Sequence, residues 1–147
     1  EQRNIEIKIS SLIDKYVAVI TNQAKILWDN KDFESVESLF SESSDICEEN
    51  KVFRVNLAHS VYMQEKNHAK AIEQYEPIVE KYNDNYLKCE TIVLANLCVS
   101  YILRKQNAKA ESLIKQIEEH EKIAKVNDPS QQVFHSFIVH LVIGTLY

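Results

Sequence analysis

Apolar residues recur at three- and four-residue steps along most of the chain, most clearly between residues 94 and 117. Leu94, Leu97, Cys98 and Tyr101 share one helical face, the polar break Arg104-Lys105-Gln106-Asn107 follows, and Ala110, Ile114 and Ile117 make a second stripe. That is a helical hairpin. Upstream, Ser10 or Ser11 can cap a helix carrying Ile13, Tyr16 or Val17, Ile20, Ala24 and Leu27; Asp29-Asn30-Lys31-Asp32 breaks it, and Phe33, Val36, Leu39 and Phe40 form the partner stripe, which runs into the acidic tail 45–50. Ile5, Ile7 and Ile9 alternate as in a strand, yet beside so long a helix residues 1–9 read as its frayed start. Val55, Ala58, His59 and Tyr62 break at 64–68 and resume at Ala71, Tyr75 and Ile78, with Pro77 predicted to kink the second helix. Asn83-Asp84-Asn85 supplies a stop and a cap for the helix that holds Leu94. The helix from Ala108 runs long, with Glu118 facing Lys122 and Glu121 facing Lys125 at four-residue spacing. Asp128-Pro129-Ser130-Gln131 then reads as cap, first-turn proline and capping-box glutamine, opening a last helix with Ile143, Gly144 and Tyr147.

This spacing fits the tetratricopeptide pattern: a bulky residue, a second three on, a small one next, an aromatic three further, then an alanine where the second helix crosses. Cys98 stands at the small position, while Ala24, Ala71, Ala110 and Gly144 stand where helices approach closely. Ala69-Lys70-Ala71 recurs as Ala108-Lys109-Ala110, 39 residues later, and Val36 to Ala71 is a step of 35, a loose version of the roughly 34-residue period expected with the extra residues between hairpins. The predicted fold is therefore all-α, a tetratricopeptide-like superhelix of αα-hairpins with about seven helices. Its hairpins cover 10–49, 51–82 and 86–126, and a lone helix covers 129–147. The chain begins without Met and ends on an apolar helical face, so it reads as an internal segment of a longer solenoid.

Composition narrows the choice. One Gly and two Pro in 147 residues leave little material for the tight turns of an all-β fold, and 45% apolar residues suffice for a core. A net charge of −5 argues against nucleic acid. Three cysteines without a C-x-x-C pair suggest free thiols in a reducing compartment, and no apolar run nears the ~18 residues needed for membrane insertion. A Gly-rich phosphate loop, a G-x-S-x-G elbow and an H-E-x-x-H pair are all missing from the sequence. His135 and His140 fall roughly 140° apart on a helix and cannot share a metal. His120 among Glu118, Glu119 and Glu121 reads as a solvated acidic face. No catalytic residue, metal, cofactor or small-molecule substrate is expected.

The chemistry expected instead is that of a surface. In the repeat register the inner wall includes Trp28, Phe53, Met63, Ile92, Val99, Ile102, Ile138 and Leu141, with Thr21, Lys25, Asn56 and Ser60 among them. Such a wall calls for burial, by an extended peptide or by neighbouring turns of the superhelix. Two rivals remain. A chaperone-docking adaptor would need a Lys/Asn/Arg clamp for a terminal carboxylate, and Thr21, Lys25, Ile92 and Asn96 occupy those positions; a helical regulatory domain of an enzyme would need a polar pocket.

Beyond the repeat, particular strings stand out: Gln23-Ala24-Lys25-Ile26-Leu27-Trp28-Asp29, Asn56-Leu57-Ala58-His59, Tyr75-Glu76-Pro77-Ile78-Val79, Ile92-Val93-Leu94-Ala95-Asn96-Leu97-Cys98-Val99-Ser100-Tyr101 and Leu141-Val142-Ile143-Gly144-Thr145-Leu146-Tyr147. Over roughly residues 15–147 the chain resembles the fleer-type tetratricopeptide subunits of intraflagellar transport complex B, departing in the charged stretch 118–125 and matching weakly over 1–11. The resemblance implies a non-enzymatic superhelix in the cytoplasm and cilium. It implies wrapping of a segment of another complex B subunit, and a part in cilium assembly and cargo transport.

Overall fold

A computed structural model describes residues 2–146. Among these residues there are eight α-helices, one 3₁₀ turn and no strand, so the expected all-helical class is found. Two compact units divide after Lys66. The first holds α1 (Gln2–Asp29), α2 (Phe33–Ser41), α3 (Ser44–Cys47) and α4 (Lys51–Met63). The second holds α5 (His68–Glu80), the 3₁₀ turn Tyr86–Lys88, α6 (Thr91–Leu103), α7 (Asn107–Asn127) and α8 (His135–Gly144). The helix beyond the seven expected is α3, inside the stretch read as an acidic tail; Cys47 on it is fully buried and anchors it to the core.

The helix ends are set locally. Asp32, Asn50 and Asn67 accept hydrogen bonds from the backbone N–H of Ser35, Phe53 and Lys70 at 3.2, 2.9 and 3.0 Å, capping α2, α4 and α5. After α1, α4 and α6 the chain turns through Lys31, Glu65 and Lys105, each with φ near +60°. At the ends of α1 and α6 the paired bonds of a Schellman turn follow: Lys31 N–H to the Trp28 carbonyl and Asp32 N–H to that of Leu27, then Lys105 to Ile102 and Gln106 to Tyr101. Glycine would take this conformation without a Cβ penalty; here three charged residues accept it, which is how a chain with one glycine still makes sharp reversals.

In the first unit Val17, Ile20 and Ala24 of α1 close with Val36 and Phe40 of α2, Cys47 of α3 and Phe53 of α4 into one core. The helix begins at Gln2, not at Ser10, so residues 2–9 continue α1 as the frayed-start reading expected; nothing on that first half is buried. In the second unit every residue from Val93 to Tyr101 is buried. A helix apolar all round must be enclosed, and α6 packs against α5, α7 and α8. α5 runs on through Pro77 to Glu80.

The start of α8 departs from expectation. Asp128 does make a local turn, accepting from the backbone N–H of Ser130 at 3.0 Å and its hydroxyl at 2.6 Å, but the helix begins only at His135. Its free N-terminal donors find a carboxylate elsewhere: Glu121 of α7 accepts the backbone N–H of Ser136 at 2.9 Å and its hydroxyl at 2.5 Å. Glu121 is therefore buried instead of solvated, and the predicted pairs along α7 are replaced by Glu119 with Lys122 at 3.6 Å and Glu118 with His140 at 3.9 Å.

Ala24, Ala71, Cys98 and Ala110 are all buried, as small packing residues would be. Gly144 differs: it is exposed, and a Cβ built on it would meet no atom within 4 Å. The close approach expected there is not made by the described residues. Tyr147, expected on the same helix, lies outside the described residues.

Candidate functional site

The residues read as an inner wall separate into three groups. Phe53 and Val99 are interior, 1% and 2% exposed, and this corrects their reading as contact residues. Phe53 lies edge-on to Phe40 with ring centroids 5.3 Å apart, and Val99 sits on α6, which α8 covers. Ile102 and Ile138 are half-buried. Met63, Ile92 and Leu141 are exposed, at the end of α4, in the first turn of α6 and on α8.

Trp28 belongs to a built feature. Its ring stands edge-on to Phe33, centroids 4.9 Å apart, so its orientation is fixed by the α1–α2 turn. It borders a cleft of about 210 Å³ whose other lining residues are Thr21, Asn22, Ala24 and Lys25 of α1, Val36 and Phe40 of α2 and Asn56 of α4. The floor is apolar and the rim polar. Thr21 is held back by its own bond to the Val17 carbonyl at 2.8 Å. Thr21, Lys25, Trp28 and Asn56 were placed together by the repeat register; Asn22 and the floor from α2 were not, since the register follows only the first helix of each pair. A larger opening of about 540 Å³ lies between the first half of α1 and the α3–α4 region, with Ile9, Ile13 and Ile46 beside the carboxylates of Glu6, Asp14 and Glu49.

The second unit carries a polar cluster that no spacing signalled. Oε1 of Glu76 on α5 accepts from the Tyr101 hydroxyl at 2.6 Å and from Lys109 Nζ at 2.9 Å, joining α5, α6 and α7. Lys109 also lies 5.3 Å from the centre of the Tyr101 ring. Burial by itself would raise the Glu76 carboxyl, but the bonds from Tyr101 and Lys109, with the Lys109 charge, outweigh it and hold the group below the ordinary glutamate value. Burial and the Glu76 carboxylate push the Tyr101 phenol up. Both groups move away from neutrality, the opposite of what general acid–base work requires. Deeper in, Asn96 donates to the Tyr75 hydroxyl at 3.0 Å, and Ser100 to the Asn96 carbonyl at 2.8 Å. Asn96, expected at a clamp position, is thus consumed inside the fold.

Cys98 is enclosed and its thiol is pushed up to about 12 by burial, which makes it a packing residue and a poor nucleophile. His135 bonds the Cys89 carbonyl at 3.3 Å and His140 the Ser136 carbonyl at 2.7 Å. Among the described residues no three His, Cys, Asp or Glu side chains are placed to hold a metal, and no helix is long and apolar enough to cross a membrane.

Residues 2–147 match the family model for the intraflagellar transport protein 70 C-terminal domain. The chain belongs to that family. It is 44% identical to intraflagellar transport protein 70A of Bos taurus over 145 residues, which is 99% of this chain and 22% of that relative. It is 45% identical to the 70A protein of Danio rerio over 92% of this chain and 21% of the relative, and 46% identical to the human 70A protein over 92% and 20%. The chain spans about a fifth of the length of these curated relatives. As a member of the intraflagellar transport protein 70 family it is an intraflagellar transport protein, at home in the cytoplasm and cilium.

Proposed function

We propose that this intraflagellar transport chain is a non-enzymatic scaffold, part of a fleer-type tetratricopeptide subunit of intraflagellar transport complex B, that buries an extended and partly apolar segment of another complex B subunit. In that role it supports cilium assembly and cargo carriage. The observation that carries the reading is the cleft beside Trp28, where the helical repeat leaves an apolar floor, an oriented aromatic edge and a polar rim on one surface. An extended chain docked on helical repeats needs such a combination: a slot for a side chain and amides for its backbone. Ile92, Met63, Ile102, Ile138 and Leu141 extend the same reading as contacts; Phe53 and Val99 support it from the interior. The hairpins 10–49, 51–82 and 86–126 are, on this proposal, successive repeats of one longer solenoid. A chaperone-docking role has less support, since Asn96 of the clamp positions is buried.

The test uses the full-length protein carrying Trp28→Ala or Leu141→Asp, with co-purification of the other complex B subunits from ciliated cells. Both changes lie at exposed or half-buried positions, so the circular dichroism of the variants is expected to stay helical while recovery of the complex falls about tenfold or more. Undiminished recovery with both variants would overturn the proposal.

A further inference from the structure

Whatever occupies the Trp28 cleft must satisfy its rim as well as its floor. The protein carries a net charge of −5, yet the only charged side chain among the described lining residues is a cation, Lys25. Lys25, Asn22, Asn56 and the Trp28 indole N–H form no hydrogen bond or ion pair within the described residues. Other polar side chains of the first unit do find partners, Lys66 pairing with Glu34, Gln64 donating to Glu37 and Asn50 donating to Asp14 at 2.8 Å. What distinguishes the cleft is that four unengaged donor groups ring one apolar floor and that no carboxylate stands among them. The floor of Ala24, Val36 and Phe40 is small, and the volume of about 210 Å³ gives room for a single medium-sized apolar side chain.

Resting on the scaffold reading, we propose that the cleft takes an extended internal segment of a partner in which one medium-sized apolar residue is followed closely by an acidic one. The apolar side chain seats on Ala24, Val36 and Phe40, its carboxylate neighbour pairs with Lys25, and Asn22 and Asn56 bond the segment's backbone. A single exposed cation, without the further basic groups of a clamp, matches a side-chain carboxylate within a continuous chain and not a free C-terminus. Its attraction is modest and screened by salt, so Lys25 sets preference while the apolar seat sets most of the affinity.

Trp28 is the only tryptophan of the chain, so its fluorescence reports directly on the cleft. The full chain is titrated with three synthetic peptides: one with a central leucine followed by two glutamates, its counterpart with glutamines, and one ending in leucine with a free carboxylate. The expected result is that the glutamate peptide binds about three- to fivefold more tightly than the glutamine peptide at low salt, with the difference lost in about 0.5 M salt and in Lys25→Gln. Equal binding of the first two peptides, or a preference for the free carboxylate, overturns the acidic specificity while leaving the scaffold reading standing. A fluorescence signal that no peptide moves, with sedimentation showing a dimer that Lys25→Gln dissolves, overturns it in favour of a second copy in the cleft. Failure of the scaffold reading is seen separately, as undiminished co-purification of both the Trp28→Ala and the Leu141→Asp proteins.

Discussion

Side-chain size at a few positions decides how closely the helices approach. Ala71 and Ala110 are 0% and 2% exposed, so Ala71→Leu or Ala110→Leu forces extra carbons into a filled space and is expected to cost about 1–3 kcal/mol in urea unfolding. Gly144→Ala should behave in the opposite sense. Nothing lies within 4 Å of the added carbon, and replacing glycine near a helix end leaves stability unchanged or improves it by up to about 1 kcal/mol. A loss at Gly144 as large as at Ala71 would mean that the helix is crossed closely there after all. Cys98 gives a chemical readout at the same scale. With its thiol near 12 and its side chain enclosed, alkylation by iodoacetamide at pH 8 should proceed at the rate of unfolding; labelling as fast as a free thiol would contradict the packing described. Alanine and cysteine positions such as these were readable from spacing. Phe53 and Val99 were misread because the repeat register says which way a residue points but not whether another helix lies over it.

The elements depend on polar contacts between helices as much as on apolar stripes. Glu121 holds the first turn of α8 from α7. Glu121→Ala removes the acceptor and leaves the N–H and hydroxyl of Ser136 without it, a change expected to cost about 1–2 kcal/mol. Amide exchange should then quicken across 135–144 while α6 stays protected, and unchanged exchange in α8 would show the contact to be dispensable. The Glu76–Tyr101–Lys109 cluster ties three helices together and makes them pH-sensitive. A carboxyl lowered in the folded state contributes stability above its ordinary value of 4.5, and that contribution disappears as the pH falls through the lowered one. A phenol raised in the folded state works the other way, its contribution being complete below the ordinary value of 10 and fading as the pH climbs above it. Melting temperatures measured from pH 3 to 7 should therefore fall more shallowly on the acid side for Glu76→Gln than for the parent protein. Identical acid limbs would remove Glu76 from the account. Neither cluster was legible beforehand, because Glu76, Tyr101 and Lys109 are far apart in sequence and Glu121 belongs to a run of acids that looks solvated.

For the molecule as a whole, Cys47, Cys89 and Cys98 are buried and none is in a disulfide, which predicts the same melting temperature with and without reductant; a drop on reduction would indicate a bridge. What residue order fixed alone was the helical class, the breaks at 29–32, 64–68 and 104–107 to within a residue, and the family to which the chain belongs. Those follow from period, capping chemistry and side-chain volume, which act within a few residues of each other along the chain. Only the tertiary structure decided that α6 is enclosed, that α8 starts at His135, and that Trp28, Lys25 and Asn56 share a cleft floored by Val36 and Phe40. Each of these rests on groups brought together from separate helices, where the partner that satisfies a donor or covers an apolar face is set by packing and leaves no mark in the local pattern.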